Sequence, residues 1–196
     1  GKSGRTMPAA LYRVRWWSVV VSVACLLVMV VCGVWTAGHP DLLNALMSPA
    51  EQRNVAEQAF ASYYSEYPSA SFAAAVWTNN AFIAALCIAT GITGLWPAQV
   101  LFYNSLSVGV MGAVMHVHGA DWVFWSLILP HGLLELSCVF VAGAAGMRLF
   151  WAWLVPGHRT RGQSLAEEGR TTIVVVVALT VALFVSGLIE GFVTGS

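Results

Sequence analysis

His131 and Glu135 stand four residues apart in an apolar run, so a helix would carry both on one face, within reach of each other. A second acid, Glu190, lies in the last apolar run, and three amides, Asn79, Asn80 and Asn104, fall in two further runs. An ionisable side chain in hydrocarbon costs at least about 2.5 kcal/mol on insertion scales, so each acid needs a partner inside the protein or a task. Three chemistries fit. In a structural network, Glu135 would hydrogen-bond to Asn80 or Asn104, and the amides would join helices. In a proton or solute pathway, Glu135 and Glu190 would titrate with His131 as relay. In a metal site, His131, Glu135 and Glu190 would supply three ligands. That last set is thin, because HExxH is absent and His39, His116, His118 and His158 lie near span ends or in loops. Neither a GxSxG elbow nor a GxxxxGKS phosphate loop occurs, which argues against a serine hydrolase and against ATP hydrolysis by this chain. No cofactor is expected.

The elements that must position these groups are membrane helices. Of 196 residues, 58% are hydrophobic and 9% charged, and the mean hydropathy is +0.74. A soluble domain carries roughly a quarter charged residues, so this composition cannot build a water-exposed surface. Apolar runs of about 20 residues cover positions 16–37, 72–94, 95–116, 122–149 and 171–193. The expected fold is therefore all-α: a polytopic bundle of five spans, forming a single domain over residues 1–196. The first run lacks a small-residue cleavage site and reads as a retained span. Gly94-Leu95-Trp96-Pro97 breaks the second run from the third. The stretch from Trp122 to Val155 exceeds a bilayer, which predicts tilt, a kink at Pro130, or projection beyond the membrane.

Counting about 1.5 Å per residue puts His131, Glu135, Asn80 and Asn104 roughly mid-membrane. Their faces also carry small residues, as close helix contact in lipid requires. Asn80 shares its side with Ala84, Cys87 and Gly91, and Glu135 shares its side with Cys138 and Ala142. Glu190 shares its side with Ser186 and Gly187 and is bracketed by Gly187 and Gly191, while Gly109, Gly112 and Gly132 complete the expected packing glycines. The polar groups should thus point inward. Cys25, Cys32, Cys87 and Cys138 all fall in apolar runs without CxxC spacing and read as small packing residues.

Basic residues set orientation in short loops. Lys2, Arg5, Arg13 and Arg15 precede the first span, and Arg148, Arg159, Arg161 and Arg170 flank the connection between the fourth and fifth, so both segments should face the cytoplasm. The segment 41–66 is then extracytoplasmic. It opens with Ser48-Pro49-Ala50-Glu51, a capping box with proline in the first turn. Val55, Ala56, Ala59, Phe60 and Tyr63 follow at helical spacing. Such a helix could lie on the outer leaflet, dock a partner, or form a lid on the protein's own spans. Ile173 to Val177 suits a lipid-facing surface, and Ala142 to Gly146 suggests a small-residue stripe for pairing with a second copy. The zero net charge, 9 basic against 9 acidic residues, excludes a polybasic nucleic-acid binder.

Asn79-Asn80, Asn104, His131-Gly132-Leu133-Leu134-Glu135-Leu136 and Ile189-Glu190-Gly191-Phe192-Val193-Thr194, in that order, resemble the stage II sporulation protein M family. The connection Pro156-Gly157-His158-Arg159-Thr160-Arg161 with Glu167-Glu168-Gly169-Arg170 is similar to its actinobacterial branch. Relative to that branch the chain looks short at both ends, and Ser137-Cys138 stands where a proline often follows the motif glutamate. The resemblance implies a bacterial cytoplasmic membrane. In sporulating bacteria the namesake is a membrane component of machinery that remodels septal peptidoglycan and anchors partners that cut the wall. The function expected on this basis is a non-catalytic scaffold that engages envelope membrane proteins and a second copy of itself. A transporter-like subunit and a membrane metalloenzyme remain the alternatives.

Overall fold

The computed structural model describes the backbone of residues 6–64 and 70–193, and within these the side chains outside positions 60, 62–64, 70–76, 127–131 and 188–193. The order of elements is α1 (Met7–Ala37), α2 (Pro40–Leu46), α3 (Pro49–Tyr64), α4 (Ala70–Ala89), a 3-10 turn at Gly91–Thr93, α5 (Leu95–Val117), α6 (Asp121–Leu154) and α7 (Arg161–Val193). The fold is an all-α membrane helical bundle. Among the described residues, α1, α5, the Gly132–Leu154 part of α6 and the Arg161–Gly187 part of α7 are long and apolar enough to cross a bilayer. The fifth expected span is α4, whose described apolar stretch is the shorter Trp77–Ala89.

Helix α6 is the centre of the bundle and packs on α1, α4, α5 and α7, while α1 packs mainly on α5. Bulky side chains would hold these axes about 8–10 Å apart. Glycine lets two of the pairs approach more closely. A Cβ on Gly146 would lie 2.2 Å from the Cys87 carbonyl oxygen, and one on Gly91 would lie 2.8 Å from Gly146 Cα, so α4 and its 3-10 turn touch α6 backbone to backbone. Likewise a Cβ on Gly109 would meet the Met29 carbonyl at 2.5 Å, fixing α5 on α1. Gly91 and Gly109 thus serve as packing glycines and Gly132 is buried. Gly112 does not bring backbones together, since its nearest neighbour is the Phe124 ring at ordinary contact distance. Gly191 lies outside the described side chains.

Several sequence expectations shift in the fold. The connection before the last helix is only residues 155–160, because α7 begins at Arg161 and takes Glu167, Glu168 and Arg170 into the helix. Helix α6 continues through Pro130 to Leu154, about 51 Å in all. It is therefore longer than a hydrocarbon core of about 30 Å. The segment 41–66 divides into α2 and α3 at Met47-Ser48. Ile173 and Val177 face outward, but Val175 between them is fully buried. The Ala142–Gly146 stripe is spent inside the chain: Ala142, Ala144 and Ala145 are fully buried and Gly146 lies against Gly91 and Cys87. It offers no free face to a second copy.

Each end of the bundle is closed differently. At the Arg-rich end, Arg148 holds Glu168 in a forked pair, Nε to Oε1 at 2.7 Å and Nη2 to Oε2 at 3.0 Å. Arg13 of α1 reaches Glu167 and Glu168, both at 3.1 Å, and the Arg13 carbonyl accepts from Arg148. Three helix ends are bound by this one cluster. At the opposite end α3 lies over the α5–α6 turn, with Ala56 buried among Met115, Ala120 and Val123. Gln52 secures it to α2 by donating to Asn44 Oδ1 at 2.9 Å and the Met47 carbonyl at 2.7 Å. In the structure α3 is therefore a lid on its own helices. Its expected capping box is present: Ser48 N–H and Oγ donate to Glu51 at 2.9 and 2.6 Å.

Candidate functional site

The polar cluster expected at mid-bundle is assembled in part. Asn80 of α4 donates through Nδ2 to Glu135 Oε2 of α6 at 2.7 Å, and both residues are buried. The carboxyl group has no solvent exposure. Close α4–α6 approach makes the bond possible. Asn80, Ala84 and Cys87 form one face of α4, continued by Gly91 of the 3-10 turn, and Glu135, Cys138, Ala142 and Ala145 form one face of α6; all eight are buried. One turn of each helix presents the polar pair and the following turns present small side chains. The cysteines at 25, 87 and 138 are buried free thiols packed in this interior.

Helix α7 closes the third wall. Trp77, three residues before Asn80, donates its indole N–H to the Leu183 carbonyl at 2.7 Å. Gly187 lies beside that ring, and a Cβ there would make ordinary contact with it, 3.4 Å from Nε1. Cys138, Ala142 and Ala145 share a core cluster with Val175, Leu179 and Leu183. Ser186, three residues beyond Leu183 on α7, is buried as Glu135 is. Both retain hydrogen-bonding capacity. Among the described residues, neither Glu135 Oε1 nor Ser186 Oγ has a partner, although both atoms are buried.

The other expected site residues separate. Asn79 follows the adjacent direction around α4 and is exposed, on a groove between α4 and α5. Asn104 lies on the same groove, so it does not take the alternative role of partner to Glu135. His131 and Glu190 lie on α6 and α7, and their side chains are outside the described residues. Among the described residues, no three His, Cys, Asp or Glu side chains are grouped to hold a metal ion. The candidate set His131, Glu135 and Glu190 includes two members beyond that statement.

Two features were missed by spacing alone. By spacing Trp77 is one more apolar residue, and its bond to the Leu183 carbonyl is made only when another helix arrives. Gln99 and Ser107 join Asn79 and Asn104 around the groove, and Gln99, Asn104 and Ser107 lie at i, i+5 and i+8 along α5. Their signal was a polar stripe on a transmembrane helix.

A scan against family models matches residues 22–195 to the family described as Stage II sporulation protein M. Among curated proteins the chain is similar to an uncharacterized protein of Methanocaldococcus jannaschii, at 26% identity over 56% of this chain and 66% of the relative. The match thus spans just under two thirds of that relative's length. No solved structure matches the chain. With the family pattern running from the middle of α1 through the last helix, the chain belongs to the stage II sporulation protein M family.

Proposed function

We propose that this chain is a non-catalytic scaffold subunit of a cell-envelope complex, in which the buried polar pair braces the bundle and the exposed helix faces engage other membrane proteins. The observation that carries this reading is the Asn80–Glu135 bond, which ties α4 to α6 in a sealed interior at 2.7 Å. A brace of this kind uses the acid for assembly. The family supplies the cellular setting, a membrane component that anchors wall-remodelling partners. The basic residues support an orientation with the end carrying Arg13, Arg148, Arg159 and Arg161 in the cytoplasm and the α3 lid outside it, and the family supports a bacterial inner membrane.

Parallel measurements of stability and phenotype test the proposal. Glu135→Ala and Asn80→Ala should lower thermal stability and any envelope phenotype together, because each leaves a buried partner unsatisfied. Proteoliposomes of the native chain should show no pH-dependent flux.

A second reading has its own support. Glu135 Oε1 and Ser186 Oγ, without partners among the described residues, are what a proton or solute pathway would expose to its cargo. A pH-dependent flux that vanishes in a normally folded Glu135→Gln variant would establish that reading and overturn the scaffold.

A further inference from the structure

The groove between α4 and α5 encloses about 400 Å³ and is lined by Asn79, Ile83, Trp96, Gln99, Val100, Tyr103, Asn104 and Ser107. Its α5 wall is a single helical stripe that starts at the Trp96 level and climbs to Ser107. Counting from Leu95, Asn104 and Ser107 stand about 14 and 18 Å along α5, near the middle of a hydrocarbon core about 30 Å thick. Hydroxyls elsewhere on the lipid-facing surface are satisfied locally: Thr90, Ser137 and Thr180 each donate to the carbonyl four residues back. The groove residues are different. Among the described residues none of Asn79, Gln99, Tyr103, Asn104 or Ser107 has a side-chain hydrogen-bond partner, and Asn104 Nδ2 is buried in that state.

Acyl chains offer no hydrogen bonds, and lipid carbonyls and phosphates lie in the interfacial zone, too far from mid-bilayer to serve Asn104 and Ser107. The lining carries no cation for an anionic headgroup. A protein surface with both donors and acceptors at this depth would satisfy the groove. Copies of one chain share their orientation in a membrane, so a two-fold axis between them runs along the membrane normal and brings residues of equal depth together. Amides and hydroxyls both donate and accept, and so can pair with themselves, whereas a charged stripe would repel its copy. The exposed α5 rim, with Trp96 51% and Tyr103 57% exposed, supplies the ridge that each copy seats in the other's groove.

We infer that two copies of this chain pair through the α4–α5 groove, with the amides and hydroxyls of Asn79, Gln99, Asn104 and Ser107 bonding across the two-fold axis. This goes beyond the scaffold reading and uses a face other than the Ala142–Gly146 stripe.

Cysteine crosslinking of the full chain in native membranes tests it. Gln99→Cys and Ser107→Cys, each in a Cys32→Ala background that leaves only the buried cysteines at 25, 87 and 138, should form homodimeric disulfides under mild oxidation. Val30→Cys, on the outward face of α1 at 61% exposure in the native residue, should not. Asn104→Ala should weaken dimerisation in bilayers roughly tenfold, the size expected for interhelical amide bonds. Monomer only at positions 99 and 107, equal crosslinking at position 30, or conjugation to a different protein would overturn the pairing. So would rapid reaction of Ser107→Cys with a charged thiol reagent, which would mark a water-filled groove. None of these results bears on the stability and flux measurements, so the two proposals fail separately.

Discussion

Asn79 and Asn80 are neighbours in the chain and have opposite surroundings. Asn80 is buried against α6, and its amide bonds the one buried acid described in mid-bundle, Glu135. Asn79, about 100° further around α4, faces the α4–α5 groove and has no side-chain partner among the described residues. Residue type is therefore not what separates a brace from a docking surface. The distance of the facing helix does. Toward α6, glycine brings backbones into contact and an amide reaches across; toward α5, the walls stay apart and the same amide waits at an open groove.

The most damaging change should be one that erases the distinction. Gly146→Ala puts a methyl group 2.2 Å from the Cys87 carbonyl oxygen, so α4 and α6 must separate and Asn80 loses Glu135. A loss of about 3 kcal/mol or more is expected, at the upper end for overpacking because the clash is with backbone; unfolding in denaturant measures it. Next in size, Arg148→Ala removes the forked partner of Glu168, whose side chain is 4% exposed. A buried charge left unpaired costs about 3–5 kcal/mol, and Arg13 remains to hold the total near the lower bound. The same experiment on Glu167→Ala should give no more than about 1 kcal/mol, since exposed pairs contribute little.

Substitution of the two asparagines contrasts the regions directly. Asn80→Ala leaves Glu135 buried without its donor and should cost about 1–3 kcal/mol. Asn79→Ala should change monomer stability by less than about 0.5 kcal/mol, as for an exposed site. Equal losses at both positions would contradict the assignment of one to the interior and the other to the groove.

The smallest effect concerns the lid. Hydrogen bonds from Ser48, first its side chain and then its backbone N–H, hold the Glu51 carboxyl below the usual carboxylate range. A lowered folded-state value means that the contribution is present above the unfolded value and is lost as pH falls through the folded one. Protection factors of the amides at the start of α3, exchange rates corrected for the intrinsic pH dependence, should therefore fall on acidification below the ordinary glutamate range, and Glu51→Gln should flatten that fall.

Much of this arrangement was legible from residue patterns, for stated reasons. The Gly94-Leu95-Trp96-Pro97 break, the Ser48–Glu51 cap and the inward faces of Asn80 and Glu135 are local, set by helical spacing and by the cost of a polar group in lipid. Long-range partnership was harder to read. The charges from Arg161 to Arg170 resembled a loop because their partners, Arg13 and Arg148, belong to two other helices, and pairing is what makes the segment a helical extension. The small residues at helical spacing from Asn80 marked its face as inward, but where Asn79 would face depends on the position of α5, which spacing does not give. Gly33 gave no sign of packing, since its use shows only when the Gly109 backbone arrives, and Gly146 read as part of a stripe for a second copy when its neighbours are in its own chain.

The central claim is that Asn80 and Glu135 form one cross-brace from which Asn79 is excluded. A double-mutant cycle on bilayer-reconstituted protein tests it most directly, comparing Asn80→Ala with Glu135→Ala and, in parallel, Asn79→Ala with Glu135→Ala. Coupling of about 1 kcal/mol is expected for the first pair, with additivity for the second. Additive losses for Asn80 and Glu135, or equal coupling in both cycles, would contradict the account.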